Sequence, residues 1–166
     1  KNTVRAAVLQ SGLPLKVSAW AVPYSALSLS FDKPCPIHPH EKDLAGNIAE
    51  EFKYKENWTC WQALNEGNPF EGKRPMFGQL VFYLDGKNES LEPKTSPGLF
   101  LGWSLASGLR YRGVLQVYDY EKARQGNWRW NMVRYVHEKE VHVPKEIDFP
   151  FAAAREKAYK SLGKAD

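Results

Sequence analysis

Residues 72–119 constrain the fold more than any other part of the chain. Three runs of apolar, β-branched or aromatic residues, 76–84, 99–103 and 114–118, are separated by turns that carry Gly, Pro and Asn. Runs of that length, punctuated in that way, predict a small antiparallel β unit. Basic residues stand beside aromatics in the last two runs: Trp103, Arg110, Tyr111, Arg112 and Tyr118. The rest of the chain reads as a helical lead-in and a helical tail.

In the lead-in, Asn2-Thr3 offers a cap to a helix that Gly12 ends and Pro14 keeps from continuing. A second helix is expected over 16–30, kinked or split by Pro23, with Trp20, Tyr24 and Leu27 as a stripe at helical spacing. Residues 34–43 read as a turn-rich loop, 45–52 as a short helix, and 59–65 as another that buries Trp58 and Trp61. Pro75 sits just before the first strand, where a missing amide donor is tolerated. Asp85-Gly86 and Lys87-Asn88 have turn chemistry, and 89–96 is a connecting loop. A turn over 104–108 leads to a third strand over 110–120, and 121–127 is a basic loop. Trp128, Trp130 and Met132 alternate with Arg129, Asn131 and Val133, which predicts a fourth strand over 128–135. A short fifth strand over 138–143 stops at Pro144, and 151–162 is a helix ended by Gly163.

The chain has 166 residues, 43% hydrophobic and 13% aromatic, enough for a folded domain with a core. A net charge of +4 suits a nucleic-acid partner and an ordinary soluble protein equally well. The longest apolar stretch, 17–31, is too short and too often broken by serines and Pro23 to span a bilayer. No signal peptide is visible, and the opening Lys1 in place of Met leads us to expect sequence upstream.

Cys35 and Cys60 make no disulfide framework; a single bridge between them is open, and two free thiols are the better reading. With His38 and His40 they could supply metal ligands, yet the spacing lacks the two tight pairs of a zinc site, so a solvated loop is expected. No nucleophile elbow, phosphate-cradling glycine loop, His-Glu-x-x-His or Cys-x-x-Cys motif is present, and the scattered carboxylates mark no metal pair. We therefore expect no active site, no metal and no cofactor. Arginines 110, 112, 124, 129 and 134 lie on or between strands that carry Tyr111, Trp128, Trp130 and Tyr135. Arg110, Arg112, Arg129 and Arg134 are the candidate nucleic-acid contacts, on one shared basic face. The competing reading has the aromatics filling the core and the arginines paired to Glu121, Glu138 and Glu140.

As a series, the segments VRAAVLQSGLP with Trp20, TCWQALNEGNPFEGKRPMFGQLVFY, PGLFLGW, RYRGVLQVYD and VHVPKEID resemble the back end of the integrase region of copia-type LTR retrotransposon polyproteins. The resemblance covers residues 1–148, is strongest at 70–83 and 97–103, and in spelling is closest to algal members. It implies an α+β chain: N-terminal helices, a small antiparallel SH3-like β barrel, and a C-terminal helix. The corresponding division is 1–68, the end of an integrase core; 69–148, the barrel; and 149–166, the tail helix. The family's magnesium-binding two Asp and one Glu belong upstream of Lys1, as does its His/His/Cys/Cys zinc domain, so no residue here matches them. The segment 31–58 is longer and richer in Pro and His than the family pattern. Two functions follow. In one, a transposon-derived, non-catalytic scaffold serves as a structural subunit among the proteins of a larger assembly, organellar or membrane-bound, with Trp20, Tyr24, Trp58 and Trp61 at the protein interface. In the other, the chain is the DNA-binding, assembly-forming part of a nuclear integrase.

Overall fold

The computed structural model describes residues 2–85 and 95–162. The class is α+β, as expected. Helix α1 (Asn2–Ser11) is followed by a 3-10 turn at Leu15–Val17 and by α2 (Ser18–Asp32). Gly12 closes α1 in the left-handed conformation, φ +72°. Pro23 does not split α2, which runs on past it with the proline ring at the exposed surface. Helix α3 (Cys60–Leu64) begins with a reciprocal cap: Gln62 N–H donates to Thr59 Oγ1 at 3.2 Å, and Thr59 N–H donates to Gln62 Oε1 at 2.9 Å.

Five antiparallel strands make one sheet: β1 (Leu80–Leu84), β2 (Thr95–Ala106), β3 (Arg110–Asp119), β4 (Val133–His137) and β5 (Val141–His142). Their order is β4-β3-β2-β1-β5, a meander whose last strand returns to pair with the first. Breaks in register between Phe100 and Gly102 and between Ser104 and Leu105 bend the long β2. Helix α4 (Tyr120–Arg124) sits between β3 and β4, and α5 (Pro150–Leu162) closes the described chain.

Alternation along β2 and β3 sends side chains to two cores. Leu99, Tyr118 and Val133 stand in register across three strands and pack with Val8, Leu13, Val17, Trp20 and Phe77, so α1 and α2 cover that face. Phe100 and Val117 point the other way, with Val81, Tyr83, Trp103 and Leu115, and there Phe31, Trp61 and Phe70 cover them. The helical lead-in thus supplies side chains to both cores.

Several local expectations are corrected. Residues 45–52 are not a helix: Asp43 accepts from Asn47 N–H at 2.8 Å and a turn forms, so a 3-10 helix starts only at Glu50–Glu56. Residues 76–79 precede β1 as a turn in which Met76 N–H donates to Gln79 Oε1 at 2.9 Å. The turn expected over 104–108 comes later, at Ser107–Leu109, because β2 continues to Ala106. The loop over 121–127 opens as α4, since Asp119 Oδ1 accepts from Lys122 N–H at 3.0 Å and caps it. The alternation over 128–135 is not a strand throughout, and β4 starts only at Val133. The Tyr118 hydroxyl donates to Asn127 O at 2.5 Å and accepts from Arg129 N–H at 2.9 Å, which spends those backbone groups outside any ladder. The short strand over 138–143 divides into a 3-10 turn at Glu138–Glu140 and the two-residue β5. The turns expected at Asp85-Gly86 and Lys87-Asn88, most of the 89–96 loop and the Gly163 stop lie outside the described residues.

Candidate binding groove

The segment that follows α3 runs through Asn65-Glu66-Gly67-Asn68-Pro69 to Phe70 and comes to lie beside the turn between β2 and β3. Between them an open groove of about 810 Å³ forms, lined by Trp61, Leu64, Asn65, Phe70, Tyr111 and their neighbours, with Glu138 at its end. Trp61 and Phe70, both buried, make the floor; their rings meet edge to face at 5.1 Å. Phe31 stacks beneath Phe70 at 3.9 Å, and Tyr111 leans on Phe70 at 4.9 Å as one wall. Gly72 is required by this packing, because a Cβ there would lie 2.4 Å from the Tyr111 ring and 2.7 Å from the Phe70 ring.

Backbone strain is concentrated at the rim. Among the described residues two non-glycine positions have φ in the left-handed region, Glu66 (φ 55°) and Leu109 (φ 57°). Glu66 lines the groove, and Leu109 lies between two lining residues, Gly108 and Arg110. Conformations of this kind cost of order 1–2 kcal/mol for a residue with a Cβ and collect at functional surfaces. Leu64 and Leu109 also keep 57% and 50% of their surface exposed, so the rim carries apolar side chains as well as strain.

The charges on the lining are three carboxylates, Glu66, Glu71 and Glu138, against one guanidinium, Arg110. Glu138 Oε2 accepts from the Tyr111 hydroxyl at 2.8 Å and from Lys73 N–H at 3.2 Å. Burial and that carboxylate hold the Tyr111 hydroxyl well above the usual tyrosine range, so it is a neutral donor at any physiological pH. An aromatic floor, a fixed carboxylate and a strained rim can hold a flat or cationic group in place.

The residues singled out from sequence are dispersed. Arg110 and Arg112 are exposed at the start of β3. Arg134 stands opposite Val117, seven residues along β3 from Arg110, which is roughly 20 Å of strand. It pairs with Asp85 at 3.2 Å and lies over the Tyr83 ring at 5.8 Å. Arg129 is exposed beside Trp130. Strand length thus separates Arg110 from Arg134, and Asp85 holds Arg134. Arg124 pairs with Glu121 at 3.3 Å.

Of the four aromatics expected at a protein interface, Trp20 and Trp61 are consumed by the chain's own core, at 3% and 4% exposure. Trp20 lies under Trp130 at 4.2 Å. Tyr24, half-buried, stacks on Trp103 at 5.3 Å, and Trp58, also half-buried, rests on Tyr54 at 4.8 Å. Trp61 is nevertheless among the residues that line the groove.

Cys35 and Cys60 are free thiols, and burial pushes the Cys35 thiol up while nearby Lys55 opposes it. Among the described residues no group of three or more His, Cys, Asp or Glu is placed to hold a metal ion. No helix there is long and apolar enough to cross a membrane. Sequence reasoning missed Leu64, Glu66, Phe70, Glu71, Gly72 and Glu138 as a set; the one local signal is Gly67-Asn68-Pro69, which reads as loop.

Compared with known proteins, the chain matches no protein-family model, no curated protein and no solved structure.

Proposed function

We propose that the chain is a non-catalytic binding subunit that holds a segment of another protein in the groove between residues 61–72 and the β2–β3 turn. This deepens the scaffold reading of the sequence and keeps the copia-type, transposon-derived origin as a proposal. The observation that carries it is the meeting, at one open groove, of an aromatic floor with the two left-handed non-glycine rim residues Glu66 and Leu109. Apolar and aromatic side chains on the lining, with exposed Leu64 beside them, support contact with a protein segment. A subunit of this kind recovers a defined partner when purified intact from its source. The double variant Leu64→Glu, Leu109→Glu loses that partner, whereas undiminished recovery contradicts the proposal. The purified chain is expected to cleave no DNA with magnesium or manganese; metal-dependent cleavage abolished by one carboxylate substitution would overturn the non-catalytic part.

A second reading, DNA binding as part of an integrase assembly, draws on one feature. Trp130 keeps 61% of its surface exposed next to exposed Arg129, a stackable ring beside a cation. Affinity for single-stranded DNA then falls steeply with salt and falls again in Trp130→Ala; a flat salt response removes this reading.

A further inference from the structure

Residues 36–57 form a lobe that keeps its polar interactions to itself. Glu41 pairs with Lys55 and accepts from His38 N–H, Asp43 accepts from Asn47 N–H, and Ala49 N–H donates to Glu41 O at 2.9 Å. Among the described residues, no hydrogen bond or ion pair joins this stretch to the rest of the chain. Neither core takes a side chain from it.

What fixes the lobe to the body is a short neck. Lys33-Pro34-Cys35 runs antiparallel to Trp58-Thr59-Cys60, with Pro34 opposite Thr59. Cys35 N–H donates to Trp58 O and Cys60 N–H donates to Lys33 O, each at 2.9 Å. Side chains alternate across such a ladder, so Cys35 and Cys60 share the face opposite to that of Pro34 and Thr59. Cys60 then leaves the ladder as the first residue of α3. Its Sγ lies 3.5 Å from Pro34 O, the carbonyl of the peptide bond that carries Cys35 N. The Cys35 thiol also feels the Cys60 thiol beside it, and both are only partly buried. Two main-chain hydrogen bonds therefore close the neck, and two accessible thiols sit diagonally across it, where rotation about their side-chain bonds brings the sulfurs together.

We propose that Cys35 and Cys60 are a reversible oxidation site: a small-molecule disulfide closes them into an intramolecular bridge that clasps residues 36–59 to the end of α2 and the start of α3. One cysteine thiolate attacks a sulfur of the oxidant, for which oxidised glutathione serves, forming a mixed disulfide and releasing one glutathione thiolate. The other cysteine thiolate attacks the protein sulfur of that mixed disulfide, forming the Cys35–Cys60 bond and releasing the second glutathione. The two protein thiols give up two protons and two electrons, and the oxidant takes them up as two reduced glutathione molecules. The bridge is independent of the groove, so loss of partner recovery in Leu64→Glu, Leu109→Glu neither supports nor removes it.

The test equilibrates the full chain with mixtures of reduced and oxidised glutathione at about pH 8, close to the ordinary thiol range. Acid quenching, intact mass and peptide mapping then read the products. The native chain is expected to lose two hydrogens, retain no glutathione, stay monomeric and yield one linked peptide that contains both cysteines. Its melting temperature should rise by at least about 5 °C on oxidation and fall back on reduction. By linkage, a bridge that favours the fold is favoured by the fold, so half-oxidation of the native chain should need at least tenfold less oxidising glutathione than that of the chain in guanidinium chloride. Cys35→Ser should instead keep a glutathione on Cys60 and show no such rise in melting temperature. Glutathione retained on both cysteines of the native chain, a bridge formed only between two copies, or equal half-oxidation in the native and denatured chains overturns the proposal.

Discussion

Tyr111 donates its hydroxyl to Glu138 Oε2 at 2.8 Å, and this bond ties the start of β3 to the turn that leads into β5. Lys73 N–H reaches the same carboxylate oxygen at 3.2 Å, so three separated stretches of sequence converge on one group. A hydrogen bond to a charged acceptor contributes about 1.5 kcal/mol or more. Tyr111→Phe should lower stability to denaturant by about that amount. Tyr111→Phe combined with Glu138→Gln should cost less than the two single losses added, because the pair acts as a unit. Strict additivity in the double-mutant cycle would contradict the arrangement.

Trp61 and Leu64 lie one helical turn apart and should respond in opposite ways. Trp61 is buried under Phe70 and Phe31, and Trp61→Ala is expected to cost about 3–5 kcal/mol in urea or guanidinium unfolding. Leu64 is more than half exposed, and Leu64→Ser should change stability by no more than about 0.5 kcal/mol. A large loss at Leu64 would mean that it packs in the core.

Gly12 holds α5 against α1. A Cβ on Gly12 would lie 2.3 Å from Ala152 N, at a φ of +72°. Arg155 Nη2 then donates to Leu9 O at 2.7 Å along the same contact. Gly126 has a matching φ of +73° with nothing within 4 Å of the added carbon. Gly126→Ala should therefore show strain alone, about 1–2 kcal/mol. Gly12→Ala should lose more and expose Arg155 to rapid tryptic cleavage. Equal behaviour of the two variants would remove the proposed docking contact.

Glu41, nearly buried in the Pro- and His-rich loop, is paired with Lys55 and also accepts from His38 N–H at 2.9 Å. The Lys55 hydrogen bond, then the His38 amide, hold its carboxyl below the usual value of 4.5. A depressed carboxyl stabilises the folded state fully above its unfolded value, and that contribution is lost as pH falls through the folded one. The difference in melting temperature between the native chain and Glu41→Gln should be largest above pH 4.5 and close below it. A gap that persists into strong acid would show that the charge is not what holds the loop.

Alternation and punctuation located the sheet, because apolar runs at 76–84, 99–103 and 114–118 have few other ways to bury their side chains. The same signal misled at 128–132, where Trp128 stacks on Tyr118 at 4.9 Å and Trp130 on Trp20. Period-two spacing there serves ring contacts with β3 and α2 and not a ladder, and only the tertiary contact distinguishes the two. Arg110 and Arg134 looked like one basic face because sequence carries no measure of their separation along the sheet. The groove was invisible for a related reason: Tyr111 and Glu138 meet only once β4 pairs with β3, and Glu66 joins them only through the fold of the segment after α3. What could be read was the loop chemistry of Gly67-Asn68-Pro69 and the aromatic residues that flank it.

The central claim, that the chain binds through the groove beside Leu64, is tested most directly by a photoreactive amino acid placed at that position. A second copy of the probe at Tyr159, exposed on α5, serves as the reference. Irradiation in the native setting should attach one partner protein at Leu64 and none at Tyr159. Attachment of the same partner from Tyr159, or from neither position while the partner still co-purifies, would contradict the account.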